Sequence, residues 1–149
     1  MQLSEHFTLE EMCVSQMAAR RGLDNTPGPE EIENLKRTAA AMEQVRVVLG
    51  GKAIYVDSGY RSPLVNASVG GMSRSAHCRG LACDFVVPEF GAPADVALTI
   101  LRSDIEFDQL ILEYGWVHVG LAEDEVVCRR EVLTKRSSMA AYEPGIVQI

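Results

Sequence analysis

The sequence predicts an α+β domain, with helices gathered in the first half packed on a small antiparallel sheet built from the second. Three observations predict it. Ile32, Leu35, Ala39, Met42, Val45 and Leu49 recur at three- and four-residue steps, one apolar stripe along an amphipathic helix. Beyond residue 53 the period changes to short β-rich runs separated by Gly, Pro and Ser. Finally, 149 residues with 47% hydrophobic content and a mean hydropathy of +0.02 suit one globular domain over 1–149, long enough to bury a core.

The elements follow in order. Thr8-Leu9-Glu10-Glu11 fits a capping box, in which the Thr8 hydroxyl and the Glu11 carboxylate each satisfy a backbone N–H. A short helix should follow and end near Gly22. Thr26-Pro27-Gly28-Pro29 is a turn, and Pro29 suits the first turn of the long helix that Gly50-Gly51 stops. Ala53-Ile54-Tyr55-Val56 is strand-like, and Ser58-Gly59-Tyr60-Arg61-Ser62-Pro63 breaks it into a loop. Leu81 to Val87 reads as a buried strand, and Pro93 to Arg102 as a helix with Val96, Leu98, Ile100 and Leu101 partly buried. Phe107 to Glu113 and Trp116 to Leu121 are strands parted only by Tyr114-Gly115, Val126 to Leu133 adds another, and 137–149 is a peripheral tail.

The tight Tyr114-Gly115 turn carries a geometric inference. A two-residue hairpin loop pairs Glu113 with Trp116 and Ile111 with His118. Alternation then puts Gln109, Ile111, Glu113, Trp116, His118 and Gly120 on one face. Leu110, Leu112, Val117, Val119 and Leu121 take the other, the core face. Glu113 and His118 become diagonal neighbours, roughly 7–8 Å apart at the backbone.

A net charge of −7 argues against nucleic acid and against docking on an anionic membrane. No apolar run reaches the roughly 20 residues of a membrane span. The first residues, Met1-Gln2-Leu3-Ser4-Glu5-His6, have neither the basic start nor the apolar stretch of a signal peptide, so synthesis in a cytoplasm is expected. Cys13, Cys78, Cys83 and Cys128 form no C-x2-C pair; Cys78 and Cys83 are read as packing thiols, with a thiolate ligand the alternative.

Chemistry concentrates on the histidines. His77 and Asp84 share one loop and strand, and His118 lies in Trp116-Val117-His118-Val119. Imidazole and carboxylate are ligands of catalytic zinc, which uses three protein ligands and leaves one position open. On spacing alone, satisfied polar groups are the simpler reading of these three. His6, beside the capping box, is read as a local packing residue. Glu113 is open to two readings, a solvated strand end or a carboxylate in reach of the metal.

Taken as an ordered set, Ser58-Gly59-Tyr60-Arg61-Ser62, Asn66, Val69-Gly70-Gly71, Ser75-Ala76-His77, Gly80, Ala82, Asp84 and Trp116-Val117-His118-Val119 resemble the zinc D-Ala-D-Ala carboxypeptidase family. They are most similar to its phage-associated, peptidoglycan-cleaving branch. Glu5-His6-Phe7-Thr8-Leu9-Glu10-Glu11 and Gly22-Leu23-Asp24-Asn25-Thr26-Pro27 extend the likeness over roughly residues 3–136. The resemblance implies a hedgehog/DD-peptidase fold, zinc held by His77, Asp84 and His118, and Arg61 contacting substrate and the developing oxyanion. One position departs: better-known members carry an acid three residues before the second histidine, where this chain has Gly115. Glu113 is the nearest replacement as catalytic base.

The expectation is therefore a zinc peptidase acting on peptidoglycan stem peptides, as carboxypeptidase or endopeptidase. Glu113 and Arg61 would be catalytic, and Tyr60, Ser75 and Trp116 would join Arg61 in binding substrate. A monomer is expected, made without a leader in the host cytoplasm and acting on the cell wall as a phage lysin or a virion-associated enzyme. The alternative is a non-catalytic module of the same fold that grips peptidoglycan or a tail protein.

Overall fold

A computed structural model of the chain describes residues 1–147. Three helices, α1 (Leu9–Met12), α2 (Gln16–Arg21) and α3 (Pro29–Val48), precede the first strand, β1 (Tyr55–Ser58). Then come α4 (Pro63–Ser68), β2 (Ala82–Val86), α5 (Pro93–Leu101), β3 (Gln109–Leu112), β4 (Val117–Gly120), β5 (Glu131–Thr134) and β6 (Glu143–Pro144). The strands form one sheet in the order β1-β2-β4-β3-β5-β6. Neighbours are antiparallel except β3 and β5, which run parallel.

The predicted capping box forms: Thr8 N–H donates to Glu11 Oε1 at 2.8 Å and Glu11 N–H to Thr8 Oγ1 at 3.2 Å. The single helix expected after it is two. The Met12 carbonyl accepts from Tyr60 N–H at 2.7 Å and the Cys13 carbonyl from Asn25 Nδ2 at 2.9 Å. Carbonyls at the end of α1 thus serve the neighbouring loops, and Ser15 caps a fresh helix that ends at the left-handed Gly22.

Helix α3 lays Leu35, Ala39, Met42, Val45 and Leu49 into the core, as the stripe predicts, while Ile32 is half-buried. They meet Phe85, Val96, Ile100, Phe107, Leu110, Leu112, Val117 and Val119 in one cluster. Burial of each such large apolar side chain contributes about 1.5–3 kcal/mol. The helices thereby cover one face of the sheet and leave the other to chemistry.

The Tyr114-Gly115 hairpin is the tight one expected. Ile111 pairs with His118, Leu112 with Val117, and Glu113 N–H donates to the Trp116 carbonyl at 3.0 Å. Three further expectations fail. Ser62-Pro63 opens helix α4 rather than ending in loop: the Ser62 hydroxyl accepts from Val65 N–H, and Pro63 takes the first turn.

The strand expected from Val126 begins only at Glu131. Left-handed backbone at Glu125 and Arg130 brackets a loop, and Arg129 hooks that loop onto Asp108 with a two-pronged ion pair. Nor is the whole tail peripheral. Glu143-Pro144 pairs with β5, and Thr134 Oγ1 donates to the Gly145 carbonyl while accepting from Val147 N–H. Gln148 and Ile149, the end of the expected tail, lie outside the described residues.

Candidate metal centre and active-site face

His77, Asp84 and His118 reach one point from three elements. Ser75 caps a single 3-10 turn, Ala76–Arg79, by accepting from His77 N–H at 3.2 Å, and the left-handed Gly80 ends it. Helix α3 clamps the turn from outside: Asn34 Nδ2 donates to the Arg79 carbonyl at 2.8 Å and buried Thr38 Oγ1 to the Gly80 carbonyl at 2.7 Å. A Cβ on Gly80 would lie 2.7 Å from the Glu31 carbonyl, so only glycine permits this approach. Asp84 and His118 are cross-strand partners on β2 and β4.

The donor atoms lie within 4.8 Å of one another. Asp84 Oδ1 is 2.8 Å from His118 Nδ1 and 3.3 Å from His77 Nε2, and the two rings meet edge to face at 5.2 Å. All three side chains are largely enclosed: His77 is 2% exposed, His118 10% and Asp84 13%. Burial pushes the Asp84 carboxyl up, but the facing charges and hydrogen bonds of His77 and His118 outweigh it and hold the group far below the usual carboxylate range.

The second nitrogen of His77 fixes the ring. Nδ1 lies 2.6 Å from the Gly59 carbonyl, which can only accept, so Nδ1 carries a proton and Nε2 is the atom turned to the centre, where a metal would take its lone pair. Gly59 can reach this position because it has no side chain: a Cβ there would lie 2.3 Å from the Met12 carbonyl. Nε2 of His118 is buried without a hydrogen-bond partner. Two imidazoles and one carboxylate, enclosed and converging, are a donor set that could hold a divalent metal, and they are of the types catalytic zinc takes.

Around the centre the hairpin face is built as its alternation requires. Glu113 is half-buried, and its carboxyl is raised first by burial and then by the charge of Asp84, with His118, Lys135 and Arg61 opposing. Arg61 donates its backbone N–H to the His77 carbonyl at 3.1 Å. Its Nε is buried without a partner, and the described residues offer its guanidinium no ion pair. Trp116 stacks edge-on against Tyr114 at 4.6 Å, with its indole N–H also buried and unpaired.

Tyr60 corrects an expectation. Its side chain is 4% exposed and packs in the core cluster, so it cannot line a cleft; it serves through its backbone, bonded to Met12 and Asn25. Ser75 acts on His77 as a cap, half-buried, rather than standing free. His6 lies apart from the centre, 2.7 Å from Glu43.

The sequence reading missed three residues. Asp57 occupies the bulge between Val56 and Ser58 on β1, and its carboxyl is raised by burial and by Asp84. Its place immediately before the Ser58-Gly59-Tyr60-Arg61 run was the available signal. Lys135 lies between the expected last strand and the expected tail and Tyr142 within that tail, and no local pattern marks them.

The cysteines are free and none joins the centre. Cys83 points to the core opposite Asp84, and burial pushes its thiol well up; burial also raises Cys78. A Cys78→Ser, Cys83→Ser double variant should therefore bind as much zinc as the wild type while melting at a lower temperature, because the fully buried Cys83 becomes a hydroxyl in an apolar site. Elemental analysis of the folded variant checks this, and loss of stoichiometric zinc would make a thiolate a ligand.

Comparison with known proteins agrees with the geometry. No curated protein matches the chain. Among family models, the one described as Peptidase M15 matches residues 5–120, a span that contains the capping box, the Arg61 loop and all three candidate ligands. The chain belongs to the Peptidase M15 family, a family of zinc-dependent metallopeptidases.

Proposed function

We propose that the protein is a zinc peptidase that hydrolyses peptide bonds in the stem peptides of bacterial peptidoglycan. The observation that carries this reading is the convergence of His77, Asp84 and His118 on a sheet face that also presents the unpaired Arg61 and the half-buried Glu113. His77 Nε2, Asp84 Oδ1 and His118 Nδ1 would hold the metal. When bound, zinc supplies Lewis-acid polarisation of the substrate carbonyl and makes water acidic enough to attack near neutral pH.

The remaining work falls to the chain's own side chains. Glu113 takes the proton of the attacking water and later returns it to the departing amine. Its raised carboxyl suits both halves of that task, since a stronger acid would hold no proton to return. Arg61 places an unpaired guanidinium where negative charge grows on the carbonyl oxygen. Trp116, half-buried beside Tyr114, offers a wall to the peptide. Gly59 and Ser75 keep the His77 lone pair aimed at the centre.

Arg61 provides a direct check. Arg61→Lys keeps the charge and loses the planar fork. The variant should fold normally, keep its zinc and lose about 100-fold in kcat/KM, comparable to removal of an oxyanion donor. Full activity in the lysine variant would make Arg61 a scaffold residue.

Muropeptide digestion followed by mass analysis tests the function itself. New amine and carboxyl ends, absent when a chelator is added, are expected and would name the bond. Intact muropeptides that nevertheless bind the protein would favour the second reading, a wall-binding module, for which Gly115 in the usual place of the acid is the specific observation. We place the enzyme with phage lysins or virion-associated wall enzymes on the resemblance of its motifs. Lysis of wall preparations by added protein tests that placement.

A further inference from the structure

We infer that Gln109 and Glu131 form a relay that positions His118. Glu131 turns the Gln109 amide so that its oxygen accepts the His118 Nε2 proton, which leaves Nδ1 to the metal. The inference rests on the metal centre of the reading above and names two positioning residues for it. Gln109 lies within the 5–120 span matched by the family, and Glu131 lies beyond it.

Its starting point is an orphaned atom. His118 turns Nδ1 to Asp84 Oδ1 at 2.8 Å, while its Nε2 is buried with no hydrogen-bond partner. A neutral imidazole has one donor nitrogen and one acceptor nitrogen. With the Nδ1 lone pair given to a metal, the ring proton must sit on Nε2. A buried N–H without an acceptor is costly, and a ligand histidine almost always donates its second N–H to a neighbouring oxygen.

Strand pairing shows which side chain can supply that oxygen. Nε2 points along β4 towards Gly120, where a Cβ would lie 3.3 Å from it. It therefore points away from Trp116 and Glu113, which meet at the other end of the strand. Gly120 has two cross-strand neighbours, Ala82 on β2 and Gln109 on β3. Alanine offers no polar side-chain atom. Gln109 is close, its Cβ 3.7 Å from the same point above Gly120. The imidazole and the glutamine thus flank one gap, open because residue 120 has no side chain, and a rotation of the long glutamine side chain closes it.

Glu131 decides which end of the amide faces the histidine. Paired with Gln109 from the far side, it accepts from Gln109 Nε2 at 2.7 Å. An ionised carboxylate only accepts, so the amide keeps an N–H towards β5 and has its oxygen left for β4. Among the described residues that oxygen accepts from no other donor. Glu131 is itself held: its backbone N–H donates to the Asp108 carbonyl at 2.9 Å, and Arg129 Nη1 stands 3.8 Å from its carboxylate while the same guanidinium forks onto Asp108.

Zinc affinity and imidazole NMR test the relay together. The zinc Kd would be measured by competition with a chromogenic chelator, and the ring nitrogens followed in zinc-loaded, 15N-labelled protein, where three histidines keep assignment simple. Wild type should show a His118 Nε2–H signal protected from exchange with water. Gln109→Leu should weaken zinc by about 10–100-fold and lose that protection. The exchange variant Gln109→Glu, Glu131→Gln should restore both, because a carboxylate at 109 can accept from His118 and from an amide at 131. A folded Gln109→Leu protein with wild-type zinc affinity and a protected Nε2–H overturns the relay. So does an exchange variant no better than Gln109→Leu, or a zinc-loaded wild type whose His118 Nε2 bears no proton, a result that needs no variant to fold. Muropeptide cleavage is read separately: a wild type that binds zinc in this way and cuts nothing sinks the peptidase reading and leaves the relay standing.

Discussion

His118→Ala is expected to lose stoichiometric zinc and, with it, all measurable peptide hydrolysis, while the fold survives. The side chain lies on the face opposite the core, where its cross-strand neighbours are Asp84 and Ile111; Val117 and Val119, which do pack the core, are untouched. Removal leaves two donors of three. Replacing even the outer partners of metal ligands typically costs 10–100-fold in metal affinity or activity, and loss of a ligand itself should exceed that. Elemental analysis and circular dichroism on the same sample check both halves. A folded His118→Ala protein that still carries one zinc per chain would remove His118 from the ligand set.

The next largest effect belongs to Glu113→Gln. Glutamine preserves size and most hydrogen bonding but cannot accept a proton, so hydrolysis should fall by about 10²–10⁴-fold with zinc content unchanged. Direction of pH dependence follows from the environment. Burial is the larger cause of the raised carboxyl, and it persists when a cation neutralises Asp84. The base works deprotonated, so kcat/KM should climb with pH through a value above the ordinary glutamate range of about 4.3. The glutamine variant should lose that limb. Near-wild-type turnover, or an unchanged acid limb, would hand the role to another group; Asp57, in the bulge beside Asp84, is the next carboxylate to substitute.

What was legible in the sequence was what local chemistry dictates. The capping box, the α3 stripe, Pro29 at a helix start and the two-residue hairpin each follow from a few consecutive residues, and each formed. Hairpin register carried furthest, because a period of two fixes every face once the turn is known. It put Glu113 and His118 on one face.

Non-local pairings were the illegible part. Nothing near Leu133 announces that β5 will lie parallel to β3, and Glu143-Pro144 is too short and too proline-bound to suggest a strand. Lys135 and Tyr142 were invisible for that reason. Tyr60 was misread because a motif places a residue in a loop without saying which way its ring turns; here the residue is buried in the core cluster, and its backbone bonds the Met12 carbonyl and Asn25.

Zinc dependence of muropeptide cleavage tests the central claim most directly. Protein stripped by chelator and dialysed would be reconstituted with graded zinc, and the rate of new amine formation followed at each step. Rate should rise linearly from zero and break at one zinc per chain, the stoichiometry set by His77, Asp84 and His118. A stripped protein that cleaves at the full rate, or a rate that climbs without a break near one equivalent, would contradict the account.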